Sequence, residues 1–177
     1  CMAQAGDGQM CDAVIDRGTL LAIMQAAKKA DDSLLRDYAE TTVAVADIKI
    51  AVRSMKTGKN KDFMKRAMAE CNTLDIDRLA TAAVAGMEEI ERYLADTAYA
   101  GGAEALSKSA SAFERWCDNR IIETIKPQKY NPFTVGPIVA HILARLNEIK
   151  TVRIILTCKL NQLPEEAIRE RVREMYV

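Results

Sequence analysis

The sequence predicts an all-α protein assembled from repeated helical-bundle units of about 100 residues. Three observations predict it. First, one stretch occurs twice at a spacing of 104 residues, as Leu34 to Gly58 and again as Ile138 to Gln162. Leu34, Tyr38, Val45, Ile48 and Val52 fall on Ile138, Ile142, Ile149, Val152 and Leu156, Lys49 falls on Arg153, and Asn60 to Met68 falls on Pro164 to Val172. Repetition at fixed spacing means one folding unit used more than once, and this spacing is too long for a solenoid turn. Second, helix breakers are scarce: four prolines and eight glycines in 177 residues, with 49% hydrophobic residues for a core but only 5% aromatic. Third, no segment sustains the period-two alternation of a half-buried strand.

The elements follow in order. Residues 1–10 read as a loose lead-in, and a first helix is expected from about Asp12 to Ala30. Asp31, Asp32 and Ser33 supply capping oxygens for a second, running to about Thr57, with Gly58 placed to close it in a left-handed conformation. Asn60 to Cys71 and Asp75 to Ala85 read as shorter helices, the latter closed by Gly86. Met87 to Tyr99 continues to a break at Gly101-Gly102, the best internal hinge. Ala103 to Ile125 reads as one long helix, stopped before Pro127. Lys126 to Phe133 is a loop on which Trp116, Tyr130 and Phe133 cluster, either pinning it or anchoring a partner. Thr134 and Pro137 open the longest helix, to about Leu160. Its stripe is Val135, Ile138, Ile142, Leu146, Ile149, Val152, Leu156 and Leu160, in steps of 3, 4, 4, 3, 3, 4 and 4. That periodicity predicts a core face, and the bundle reading requires Ile149 and Leu156 to point inward. Pro164 with Glu165 and Glu166 opens the last helix, the carboxylates meeting the positive end of its dipole.

Net charge is zero, with 25 acids against 25 bases, which gives no bulk attraction to nucleic acid or an anionic membrane. The charge is segregated, however. Residues 49–66 carry Lys49, Arg53, Lys56, Lys59, Lys61, Lys65 and Arg66 against Asp62 alone. Residues 70–96 carry Glu70, Asp75, Asp77, Glu88, Glu89, Glu91 and Asp96 against Arg78 and Arg92. These are either two solvated faces or two docking faces for different partners. Five cysteines, an odd number with no C-x-x-C pair, indicate a reducing compartment. No apolar run is long enough to span a bilayer, and no signal peptide opens the chain.

Candidate chemistry is sparse. Arg153 projects into the apolar stripe, about 40° from Ile149 at roughly 100° per residue. A cation there calls for a partner, with Asp118 or Glu114 as candidates; direct contact with another protein is the alternative. His141, Arg145 and Glu148 share another face of the same helix. His141 is the lone histidine and no cysteine stands at ligand spacing, so no metal or cofactor is expected. Cys117 and Cys158 read as core residues. Gly6-Asp7-Gly8 lacks the preceding strand of a nucleotide loop. No nucleophile, base and oxyanion site occur together.

The segment from Phe113 to Val177, FERWCDNRIIETIKPQKYNPFTVGPIVAHILARLNEIKTVRIILTCKLNQLPEEAIRERVREMYV, resembles the C-terminal region of the C subunit of V-type and A-type ATP synthases. That family includes the V-ATPase d subunit. SLLRDYAETTVAVADIKIAVRSMKTGKNKDF is similar to its middle region. Glu148, Arg153 and Lys159 match a Glu, a basic residue and a Lys of the family pattern. Asp118 and Asn119 match its Asp–Asn pair, Lys129 and Tyr130 its loop, and Ile168 to Arg171 its final helix. The family usually has Asn where Asp47 and Thr151 stand, and Gly where Cys158 and Gln162 stand.

The resemblance implies three similar helical domains in a funnel, of which residues 1–74 would be most of the penultimate unit and 75–177 the final one. It also implies that this chain, opening on Cys1, is a C-terminal half. It implies a non-catalytic part of the central stalk that couples the soluble shaft subunits D and F to the membrane proteolipid ring, on the cytoplasmic face. Candidate interface residues are Lys56, Lys59, Lys61, Lys65, Arg66, Glu88, Glu89, Glu91, His141, Arg145 and Glu148. Two readings stand beside it: a free-standing helical adaptor, and a small hydrolase using His141 or Cys117.

Overall fold

The computed structural model describes residues 8–176, with Lys129 described by its backbone alone. Cys1 and the Gly6-Asp7 part of the glycine pair lie outside the described residues, as does most of the expected lead-in. The described residues are 80% helical and all-α, with no strand among them. The helices are α1 (Gly8–Ala30), α2 (Ser33–Lys56), α3 (Lys61–Ala67), α4 (Ile76–Ala85), α5 (Met87–Ala95), α6 (Ala100–Lys108), α7 (Ala110–Ile125), α8 (Gly136–Leu160) and α9 (Glu165–Arg171). A 3-10 turn, Lys126–Tyr130, lies between α7 and α8.

The helix starts are set by short polar side chains that take up otherwise orphaned N–H groups. Asp32 accepts from the Leu35 amide at 3.1 Å, Asn60 from Phe63 at 2.9 Å, and Asp75 from Arg78 at 3.0 Å. Ser109 does the same for Ala112 at 2.9 Å, and it splits the expected helix 103–125 into α6 and α7. The Gly101-Gly102 pair does not break the helix; both glycines lie within α6.

Two compact units divide the chain as Cys1–Ala103 and Glu104–Val177, the boundary falling inside α6. The sequence placed it at 74/75. The difference has a physical origin: α4 and α5 pack on α2 and on each other, so they complete the first unit. In that unit α2 is enclosed by α1, α3, α4 and α5. Val43, Ala44, Val45, Ile48, Ala51 and Val52 are all buried, joined by Met64, Met68, Leu79, Ile90, Leu94 and Tyr99. The segment after α3 is tied down by side chains. Glu40 accepts from the amides of Asn72 (2.6 Å) and Thr73 (2.7 Å), and Arg17 donates to the Met68 carbonyl at 2.7 Å. In the second unit α8 packs against α7, α9 and the 3-10 turn, around Phe113, Cys117, Ile122, Ile125, Ala140 and Ala144.

The ends of α2 and α8 close in the same way, bond for bond at a spacing of 104 residues. After α2, the Lys59 amide donates to the Ser54 carbonyl at 2.9 Å and Gly58 to Met55 at 3.3 Å. After α8, Leu163 donates to Cys158 at 3.0 Å and Gln162 to Lys159 at 3.0 Å. This is the Schellman closure, which needs a left-handed residue just past the helix. Gly58 holds φ +65° at no steric cost, whereas Gln162 holds φ +54° with a side chain.

Burial along the two long helices diverges. Leu34, Val45, Ile48 and Val52 are 4%, 2%, 0% and 4% exposed, whereas their counterparts Ile138, Ile149, Val152 and Leu156 are 65%, 47%, 54% and 54% exposed. The expected inward orientation of Ile149 and Leu156 is therefore overturned. The buried face of α8 is instead the opposite one, carrying Ala140, Ala144, Asn147, Thr151 and Cys158.

Candidate interaction surface

Three groups of side chains bear on interaction. The first is the pair of oppositely charged segments, which the first unit brings together. Asp77 meets Lys65 at 2.9 Å and Lys61 at 3.5 Å, and Lys61 also donates to the Thr81 hydroxyl at 2.8 Å. The Lys65 ammonium holds the Asp77 carboxyl below its usual range, and Asp77 raises Lys65 in return. Part of the basic segment is thus neutralised within the chain. Lys59 lies 5.0 Å over the Phe63 ring, while Lys56 and Arg66 are exposed. On the acidic side Glu88 is exposed, Glu89 pairs with Arg92 at 2.6 Å, and Glu91 is half-buried.

The second group is a buried ion network, where the expected partner of Asp118 is corrected. Its carboxylate is taken by Arg173 Nε at 2.7 Å and Lys150 Nζ at 2.6 Å, not by Arg153. Arg153 lies on the exposed side of α8, whereas Lys150 stands beside the buried Asn147 and Thr151. Asp118 and Arg173 are nearly fully buried, so each needs the other. Around them the Glu174 amide donates to Asn119 at 2.9 Å, and Asn147 donates to the Glu174 carbonyl at 2.8 Å. Lys126 pairs with the Glu174 carboxylate at 2.7 Å. The network straps the extended C-terminal segment across α7 and α8. Glu114 lines a surface depression with Ile154, Arg171 and Arg173.

The third group is the outer face of α8. Its apolar stripe is exposed from Val135 to Leu160, and the preceding loop adds Tyr130 and Phe133, 84% and 100% exposed. The loop aromatics therefore do not pin the loop; Trp116 instead stacks on Phe113, with ring centroids 6.3 Å apart. His141 is exposed on α8, and Arg145 pairs with Glu148 at 2.5 Å. Cys117 is fully buried, so the nucleophile of the hydrolase reading has no access to substrate. Burial pushes the Cys71 thiol up to about 11, which keeps it protonated and unreactive. Among the described residues no cluster of His, Cys, Asp and Glu could hold a metal ion, and no helix is long and apolar enough to cross a membrane.

One buried carboxylate was marked in the sequence only as standing where the family usually has Asn. Asp47 is fully buried on α2 and accepts from the Ala69 amide at 3.1 Å. Its second oxygen has no hydrogen-bond partner among the described residues. Burial pushes its carboxyl up to about 7, against the opposing pulls of the Ala69 N–H and the Arg17 charge.

Residues 1–171 match the family model of the ATP synthase (C/AC39) subunit. The chain is also similar to the C subunit of the A-type ATP synthase of Methanocaldococcus jannaschii, 27% identical over 156 residues. That alignment covers 83% of this chain and 39% of the relative, so the chain spans well under half the length of the protein it matches. No solved structure matches it.

Proposed function

We propose a mechanical, non-catalytic role for this chain, which belongs to the ATP synthase (C/AC39) subunit family. It acts on the central stalk of a V/A-type rotary ATPase. There it couples the soluble shaft, subunits D and F, to the membrane proteolipid ring, held on the cytoplasmic face through protein contacts. The observation that carries this reading is the family match over residues 1–171. The matched turns after α2 and α8 support the duplicated-unit reading that belongs with it. A torque-bearing element needs rigid helices with charged docking faces rather than a shaped reactive pocket, and the buried Asp118–Arg173 strap suits that demand.

The test is co-purification. The tagged chain, expressed beside the D and F subunits of its own complex, is expected to retain them on the affinity matrix. Recovery of the chain without either of them would overturn the reading and favour the free-standing adaptor. The informative charge reversals on the basic segment are Lys56, Lys59 and Arg66, because Lys61 and Lys65 are already engaged with Asp77. Retention that is lost on reversing these three and weakens with salt assigns the shaft contact to this face.

A further inference from the structure

The outer face of α8 carries an exposed apolar stripe. Its residues recur at steps of 3 and 4 along a 25-residue helix, about 37 Å long at 1.5 Å per residue. A stripe of that length is far larger than the scattered apolar residues of an ordinary surface. The counterpart helix α2 shows what such a stripe does when covered. There the matching positions are buried in a unit where α4 and α5 pack on α2 beside α1 and α3, whereas within its own unit α8 packs on α7, α9 and the 3-10 turn with its stripe left exposed.

The charge around the stripe selects the occupant. Along α8 Lys150 is taken up by Asp118 and Arg145 by Glu148, which leaves Arg153 and Lys159 as the exposed cations beside the stripe. At roughly 100° per residue Arg153 lies about 40° to one side of Ile149 and Lys159 about 80° to the other. A second copy of this chain would set two basic rims against each other. An amphipathic helix with acidic flanks would match both the stripe and the rim.

We infer that the α8 face of Ile142, Leu146, Ile149, Val152, Leu156 and Leu160 docks an amphipathic α-helix of another protein. The partner's apolar seam is flanked by Asp or Glu facing Arg153 and Lys159. Loop residue Phe133 extends the seat at its N-terminal end. This inference requires only α8 and stands whether or not the chain couples a rotary shaft.

The experiment uses the whole chain and a synthetic peptide of about four heptads, with Leu at the two seam positions and Glu at both flanks. A second peptide carries Lys in place of each Glu. Binding is read by fluorescence anisotropy, and association state by sedimentation equilibrium. The expected result is saturable binding of the Glu-flanked peptide to a monomeric chain, with at least tenfold weaker binding of the Lys-flanked peptide. Ile149→Glu with Leu156→Glu should abolish binding while leaving the helical circular dichroism unchanged, because both side chains already face solvent. Arg153→Glu should weaken the Glu-flanked peptide severalfold and strengthen the Lys-flanked one. Absence of binding, equal binding of both peptides, or a chain dimer that the Ile149→Glu, Leu156→Glu variant dissociates would each overturn the inference.

Discussion

Asp47→Asn should stabilise the first unit, and the gain should grow with pH. The carboxyl of Asp47 sits near 7 in the fold against 3.8 in the unfolded chain. The native state therefore binds the proton more tightly, and stability is highest below the unfolded value. It falls as pH rises from about 4 to about 7, then levels off once the buried carboxyl has ionised. At about 1.4 kcal/mol per pKa unit, the full penalty is about 4 kcal/mol. Asparagine removes the charge and keeps an oxygen for the Ala69 amide, but its NH2 then sits where the second carboxylate oxygen has no partner. An unsatisfied buried donor costs about 1–3 kcal/mol. The net gain at pH 8 is therefore about 1–3 kcal/mol, and it should shrink by about 2.5 kcal/mol between pH 8 and pH 5. At the acid end, where the parent's carboxyl is protonated, the variant should be weaker by the amide's cost of about 1–3 kcal/mol. Urea unfolding followed by far-UV circular dichroism at several pH values measures both quantities. Parallel stability–pH curves for the two proteins would refute the assignment of a protonated buried carboxyl at this site.

Other substitutions test other parts of the structure. Gln162→Gly should stabilise the second unit by about 0.5–1 kcal/mol, the relief of a left-handed side chain being partly offset by glycine's freedom in the unfolded chain; unchanged thermal unfolding would contradict the turn geometry. Gly58→Gln should show the opposite sign at the matching turn. Asp118→Ala strands Arg173 in a buried site and should cost about 3–5 kcal/mol. It should also expose the C-terminal segment to carboxypeptidase, and a protected C-terminus would show that the strap holds without its ion pair.

Much of the fold is legible because its signals are local. Asp32, Asn60 and Asp75 cap the helices they precede, and Gly58 and Gly86 take up the positive φ that closes α2 and α4. The misreadings arise where tertiary context decides. Ser109 caps a helix from within the serine-rich run 107–111, a capping signal masked by the helix formers on either side, while Gly101 and Gly102 look like a break yet stay helical. The partners of Asp118 were not readable either. Lys150 was hidden by the assumption that the apolar stripe of α8 marks its buried side, and Arg173 lies in an extended segment with no periodicity to place it.

That assumption exposes what hydrophobic periodicity measures. Val45, Ile48 and Val52 share their pattern with Ile149, Val152 and Leu156, yet one set is buried and the other is open. A period of 3.6 states that one face of a helix is apolar; it does not say whether its cover belongs to the same unit. The buried face of α8 is lined by Ala140, Ala144, Asn147, Thr151 and Cys158, small or polar residues that let α7 and α9 approach closely. The bulky aliphatic residues lie opposite. A helix whose small residues face its own unit and whose large ones face outward keeps most of its burial energy for association. In that setting Arg153 need not be a core cation in search of a buried carboxylate. It stands at the edge of a seat, where charge discriminates between partners at little cost to the fold.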